Sequence, residues 1–132
     1  MQDKESGRLG NEFGRKAGAA LAMTLGTKQT SRATITKRAD GSLAHIKVAR
    51  RANNRWGVYE KVLPQVGFII CALALDDRRF HLWELPVATW DRIAHQVSSG
   101  SPQLGKQRQI SIAEAQTHGR DLGILDLGHD LS

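Results

Sequence analysis

Three features predict an α+β (α/β) layer fold. They are a helical stripe near the N-terminus, a basic hairpin centred on Asp40-Gly41, and a ten-residue apolar run from Val66 to Leu75. Helical periodicity comes first and strand periodicity follows it, so one helix should cover a sheet. A chain of 132 residues suits a single domain with one core. Its expected divisions are a loose N-terminus over 1–8, a core over 9–98, and a C-terminal extension over 99–132 with a short helix.

Leu9 to Leu25 places Leu9, Phe13, Ala17, Ala20, Leu21 and Thr24 on one helical face, and Gly26 suits the helix end. The small residues Gly14, Gly18, Ala19 and Ala20 would let the helix approach a sheet closely. Ser31 to Arg38 alternates and is rich in β-branched residues, which predicts a strand. Ala39-Asp40-Gly41-Ser42 is a hairpin turn, because Asp-Gly readily supplies positive φ. Leu43 to Arg51 returns as a strand, with Leu43, His45, Lys47, Ala49 and Arg51 on one face. Trp56 to Val62 reads as a short strand or loop, and Trp56 itself as core. Val66 to Leu75 lacks alternation, as a central strand covered on both sides does. Phe80 to Leu85 is a further strand stopped by Pro86. Thr89 is the expected cap of a helix carrying Trp90, Ile93, Ala94 and Val97. Ser99 to Gln109 reads as loop. Ser111-Ile112-Ala113-Glu114 has the form of a capping box for a short helix ending at Gly119.

Charge is unevenly distributed. Residues 1–56 hold twelve Lys/Arg against four Asp/Glu, whereas residues 57–132 hold seven against nine, within an overall charge of +6. A basic half on an otherwise balanced chain is the footprint of a polyanion partner. Lys28, Arg32, Lys37, Arg38, Lys47, Arg50, Arg51 and Arg55 form the candidate nucleic-acid surface. The single cysteine, Cys71, excludes an internal disulfide and reads as core. The longest apolar run falls far short of the roughly 20 residues that span a bilayer. No secretion signal is visible behind Asp3, Lys4 and Glu5, so a cytoplasmic protein without a membrane partner is expected. His118, Asp121, Asp126, His129 and Asp130 carry ligand chemistry, but their spacing matches no compact metal site.

Lys47 is the most informative residue. It sits on a strand, shares a face with His45, follows a basic hairpin and precedes the apolar run. A helix bearing Glu12, a hairpin leading into His45-Ile46-Lys47, and two apolar strands ending at Pro86 resemble the core of the PD-(D/E)XK nuclease superfamily, the restriction-endonuclease-like fold. The resemblance covers about Leu9 to Val97. It implies a helix followed by a mixed four- to five-stranded sheet and C-terminal helices. In that superfamily two carboxylates bind a divalent metal, a lysine two residues after the second helps position the attacking water, and a helix glutamate supports the metal.

By this resemblance Lys47 matches the lysine, Glu12 the helix glutamate, and His45 the place of the second carboxylate. Asp40 is the nearest candidate for the first carboxylate, though it lies closer to Lys47 than the superfamily pattern prefers. The implied activity is a Mg²⁺- or Mn²⁺-dependent DNA endonuclease with an altered or degenerate site. The catalytic residues would be Lys47, His45 and Glu12, with Glu12, Asp40 and His45 holding the metal. The implied partner is nucleic acid, DNA before RNA, with a homodimer or larger nuclease complex supplying target recognition. The alternative is a non-catalytic basic module that binds nucleic acid or a protein. A lysine that only blunts a strand edge, and a Glu12 that only pairs with Lys16 on the helix surface, are the structural counterparts of that alternative.

Overall fold

The computed structural model describes residues 4–25, 28–29, 35–50, 55–97, 99–102 and 104–128, with side chains described from residue 12 onward except at 28 and 29. The helical stripe becomes α1 (Lys4–Leu25). After it come β1 (Lys28–Gln29), β2 (Ile35–Lys37), β3 (Leu43–Arg50), β4 (Arg55–Tyr59), a 3-10 helix (Glu60–Gln65), β5 (Phe68–Ala74) and β6 (Arg79–Pro86). The chain continues through α2 (Val87–Ile93), β7 (His95–Gln96), β8 (Gln107–Ser111), α3 (Ile112–His118) and β9 (Arg120–Asp126).

Six strands form one mixed sheet in the order β1-β2-β3-β5-β6-β9. Among the described strands only the β3–β5 pair is parallel, running from Ala44↔Phe68 to Arg50↔Ala74. The other neighbours are antiparallel. A second, three-stranded antiparallel sheet has the order β4-β8-β7. The architecture is therefore mixed α/β, compatible with the α+β class.

Alternation along the strands gives the large sheet two apolar faces. On one, Ala44, Ile46, Ile70, Ala72, Phe80 and Leu82 pack with Ala17, Leu21 and Ala22 of α1. On the other, Ala49, Ile69, Cys71, Leu73, Trp83 and Leu85 pack with Trp56, Val58, Val62, Leu63, Trp90, Ile110 and Ala115. The result is three layers: α1, the large sheet, and a third layer built from the small sheet with its short helices. Thr36 anchors the first interface by donating its hydroxyl to the Ala22 carbonyl at 3.2 Å, satisfying a carbonyl in the last turn of α1.

Several expectations hold at residue level. Gly41 adopts φ +90° in the hairpin. The Ser111–Glu114 capping box forms in both directions. Cys71 and Trp56 are core. Other expectations are corrected. Thr24 lies off the buried stripe, exposed, with its hydroxyl donating to the Ala20 carbonyl. Gly14 is not a close-approach point, because a Cβ there would meet nothing within 4 Å. Thr89 does not cap α2, which starts at Val87 with Pro86 in the N-cap position, and Val97 lies beyond its end.

Part of the stretch expected to be loop is β8, whose polar Gln107-Arg108-Gln109 pairs with β4 and β7. The C-terminal region is not only helical. β9 adds to the large sheet with a register shift opposite Leu82/Trp83 and φ +83° at Gly123, which broke the alternation a strand would have shown. Gly26 and the strand residues before Ile35 lie outside the described residues.

The position of β5 between β3 and β6 makes Ile70, 3% exposed, a demanding core site. Ile70→Ala should lower unfolding free energy by about 2–5 kcal/mol. Chemical denaturation checks this, and a change under 1 kcal/mol would place β5 at the periphery.

Candidate functional site around Lys47

β3 presents His45 and Lys47 to the third layer, because they alternate with Ala44, Ile46 and Val48, which face α1. The ladders set Lys47 beside Cys71, Cys71 beside Trp83, and Trp83 beside Asp121. The neighbouring row runs from Ile35 through His45 and Ile69 to Leu85. Trp56 closes over this face. Its indole N–H donates to the Ala72 carbonyl at 2.9 Å, and its ring meets Trp83 edge-on at 6.1 Å.

Lys47 is thus a half-buried cation in apolar surroundings. Burial lowers its pKa below the ordinary lysine value. Among the described residues it makes no ion pair. Its neighbour Cys71 moves the opposite way, since burial pushes the thiol far up and keeps it protonated and unreactive.

Sequence reasoning missed a second group on this face. His81 stacks on Trp83 with ring centroids 4.0 Å apart, and its Nε2 lies 2.9 Å from Asp121 Oδ1. The Gly123 N–H and then His81 hold the Asp121 carboxylate below its usual range. Alternation along β6 could have set His81 on the Trp83 face. Its partner forty residues away was not readable, because β9 itself was not recognised.

The expected nuclease constellation does not assemble. Glu12 belongs to α1, which packs on the opposite face of the large sheet from His45 and Lys47. It also forms no ion pair with Lys16. Asp40 is a turn residue: its Oδ1 accepts from the Ser42 N–H at 2.9 Å and the Ser42 hydroxyl at 2.6 Å. These bonds hold its pKa below the usual carboxylate value. It stands in the hairpin turn seven residues before Lys47, with four residue steps of β3, roughly 13 Å of strand, between Leu43 and Lys47. Among the described residues no three His, Cys, Asp or Glu side chains converge as a metal site. Mg²⁺ and Mn²⁺ need several oxygen donors, and this face offers, beside the imidazoles and the ammonium, one carboxylate, Asp121, already held by His81 and the Gly123 N–H. The residues present do not fit the metal.

The basic residues split between the two faces. Arg38 is structural: it reaches Glu84 at 3.4 Å and lies 3.9 Å over the Phe68 ring. Arg50 lies 4.0 Å over Phe13, which stacks on Phe80. Lys37 is exposed on β2, and Arg55 is exposed at the start of β4. Arg32 and Arg51 lie outside the described residues, as does the side chain of Lys28. His129 and Asp130 also lie outside them.

A charge pattern emerges once partners are assigned. Arg108 bridges Glu60 and Asp91, Arg79 binds Asp76, Arg78 binds Asp126, and Arg38 binds Glu84. His95 and His81 hydrogen-bond Glu114 and Asp121. Among the described acids after residue 56, only Asp77 lacks such a partner. Arg15, Lys16, Lys47, Arg50 and Arg55 make no ion pair among the described residues, and neither do Lys61, Arg92, Lys106 and Arg120.

No protein-family model, curated protein or solved structure matches the chain. Among the described residues no helix is long and apolar enough to cross a membrane.

The lowered pKa of Lys47 has a definite sign in stability. Below that pKa both folded and unfolded chains hold the proton, and the folded state bears the full cost of the buried charge. As pH climbs from the lowered pKa towards 10.5, the unfolded chain binds more protons, so Lys47 destabilises less. Lys47→Met should therefore raise the Tm by a few degrees at pH 7, with the gap to the parent narrowing at alkaline pH. Cys71 titrates in the opposite sense in both proteins and cancels in the comparison. Melting curves over pH 6–10.5 test this; a constant gap would mean that Lys47 is solvated.

Proposed function

We propose that this protein is a non-cleaving nucleic-acid-binding module that holds DNA by its phosphates. The observation carrying this reading is the charge of the N-terminal part, twelve Lys/Arg against four Asp/Glu over residues 1–56, within a chain of net charge +6. Opposed ion pairs cancel at a distance, so the remaining positive field is set by exposed cations without an ion pair among the described residues: Arg15, Lys16, Arg50 and Arg55 in the N-terminal part, and Lys61, Arg92, Lys106 and Arg120 in the C-terminal part. Arg50 ends β3 and Arg55 begins β4, and both are exposed, so they are the two cations chosen to test this reading. Lys16 follows Phe13, the ring under Arg50, by three residues on α1. Phosphate contacts of this kind give affinity without reading sequence.

The order of helix, hairpin and parallel strand supports a restriction-endonuclease-like core as the ancestry of the module. The placement of Glu12 and Lys47 on opposite faces favours binding without cleavage. A catalytic version needs a carboxylate on the Lys47 face near the phosphate, and the described residues of β2, β3 and β5 contribute none.

Binding of a labelled duplex, followed by anisotropy across a salt series, tests the proposal. Each lost phosphate contact removes about 0.9 from the logarithmic salt slope, so the Arg50→Ala/Arg55→Ala double variant should flatten it by about 1.8 and weaken binding. Chelator should change nothing, and duplex incubated with Mg²⁺ or Mn²⁺ should stay intact. Cleavage abolished by chelator would overturn the non-cleaving reading. An unchanged slope in the double variant would remove this surface from the interface.

A further inference from the structure

The small sheet carries a second feature outside the Lys47 face. β4 ends at Tyr59, the 3-10 helix starts at Glu60, and the turn before β8 folds back beside them. An open cleft of about 630 Å³ lies here, lined by Tyr59, Glu60, Lys61, Gly105 and Lys106. Its walls are fixed by backbone: the Glu60 N–H donates to the Lys106 carbonyl at 2.9 Å, and Tyr59 pairs with Gln107 across the sheet. Val62 and Leu63 bury the 3-10 helix against the core. Gly105, at φ +81°, turns the chain so that Lys106 faces the same opening.

The chemistry of the lining is selective. Tyr59 is 37% exposed. Lys61 Nζ lies over its ring, 5.8 Å from the centroid. The one carboxylate in the cleft, Glu60, is bound by both Nε and Nη2 of Arg108. Arg108 is itself fixed by the Asp91 carboxylate and by the Asp91 carbonyl at 2.9 Å. Arg108 thus answers two carboxylates with one charge, and Lys61 and Lys106, which make no ion pair among the described residues, turn the balance of the opening positive.

A flat aromatic ring flanked by two uncompensated ammonium groups matches a base with its adjoining phosphates. A duplex keeps its bases stacked inside and cannot offer one to Tyr59, whereas a single strand can. We propose that this cleft binds single-stranded nucleic acid, with a base stacked on Tyr59 and backbone phosphates held by Lys61 and Lys106. The proposal rests on the nucleic-acid-binding reading but assigns it a separate surface and a different strand state.

The test compares a labelled single strand of about a dozen nucleotides with the duplex of the same sequence, using the whole chain. Tyr59→Ala should weaken single-strand binding roughly five- to 150-fold, while Tyr59→Phe keeps most of it, since stacking is worth 1–3 kcal/mol per base. Lys61→Gln/Lys106→Gln should flatten the single-strand salt slope by about 1.4, at about 0.7 per phosphate. Both double-variant sites are exposed, so this protein reports even if Tyr59→Ala fails to fold.

Equal single-strand affinity in Tyr59→Ala and the parent overturns the proposal. So does poly-glutamate competing as well as the oligonucleotide and depending on the lysines but not on Tyr59, which would mark a simple anion site. The two surfaces fail separately. Duplex binding that needs Arg50 and Arg55, without single-strand binding, sinks the cleft alone. Single-strand binding that needs Tyr59, with duplex binding indifferent to Arg50 and Arg55, sinks the β3–β4 surface alone.

Discussion

The parallel pairing of β3 with β5 is the constraint on which the rest of the molecule depends. Parallel neighbours cannot be joined by a tight turn, so the chain must cross over the sheet between Arg50 and Phe68. β4 and the 3-10 helix provide that crossing, and they lie on the face that carries Ile69, Cys71 and Leu73. Trp56 secures it by sinking its ring into the core and donating its indole N–H to the Ala72 carbonyl on the central strand. Burying a ring of 150–250 Å² at about 25 cal/mol per Å² contributes up to about 4–6 kcal/mol, an upper bound because the unfolded chain already hides part of it. With that face taken, α1 is left the other one. The separation of Glu12 from Lys47 is then a consequence of topology rather than of side-chain choice.

The same layering sorts the arginines by role. Arg38 points to the α1 face, where Glu84 is buried and Phe68 offers a ring, so its charge is used inside the structure. Breaking that pair would strand a buried carboxylate. Arg50 lies on the same face at the other end of β3, where Phe13 gives it a ring but no carboxylate stands opposite. One residue type on one sheet face therefore splits into a cation paired inside the structure and one without an ion pair among the described residues, by what faces it. Sequence alone counts both as basic.

That is also where the sequence stopped being legible. α1, the Asp40-Gly41 hairpin, β3, β5, β6 and the α3 capping box each follow from a local signal: helical spacing, turn chemistry, or an apolar run. The i, i+2 spacing placed His45 and Lys47 together on one face. It could not say which face, because that depends on where the crossover runs. The small sheet was hidden because Gln107-Arg108-Gln109 is polar, and its pairing is owed to β4 nearly fifty residues earlier. β9 was hidden because Gly123 and its register shift interrupt the alternation. The His81–Asp121 pair and the matched acids of the C-terminal part depend on those long-range pairings, so they were hidden with them.

The replacement expected at position 45 has an electrostatic consequence that the layering makes sharper. In a metal-dependent phosphate site the order of charges is carboxylate, cation, phosphate: the protein surface is negative, and the metal reverses its sign. Here His45 and Lys47 stand two residues apart, roughly 7 Å along β3, and the carboxylate at the far end of the Lys47 row, Asp121, is already held by His81. The cation on β3 is the lysine itself, without help from a metal. A carboxylate–metal site weakens as acid protonates its ligands and fails when chelator strips its metal, whereas a face whose β3 cation is a lysine holds nothing for a chelator to remove.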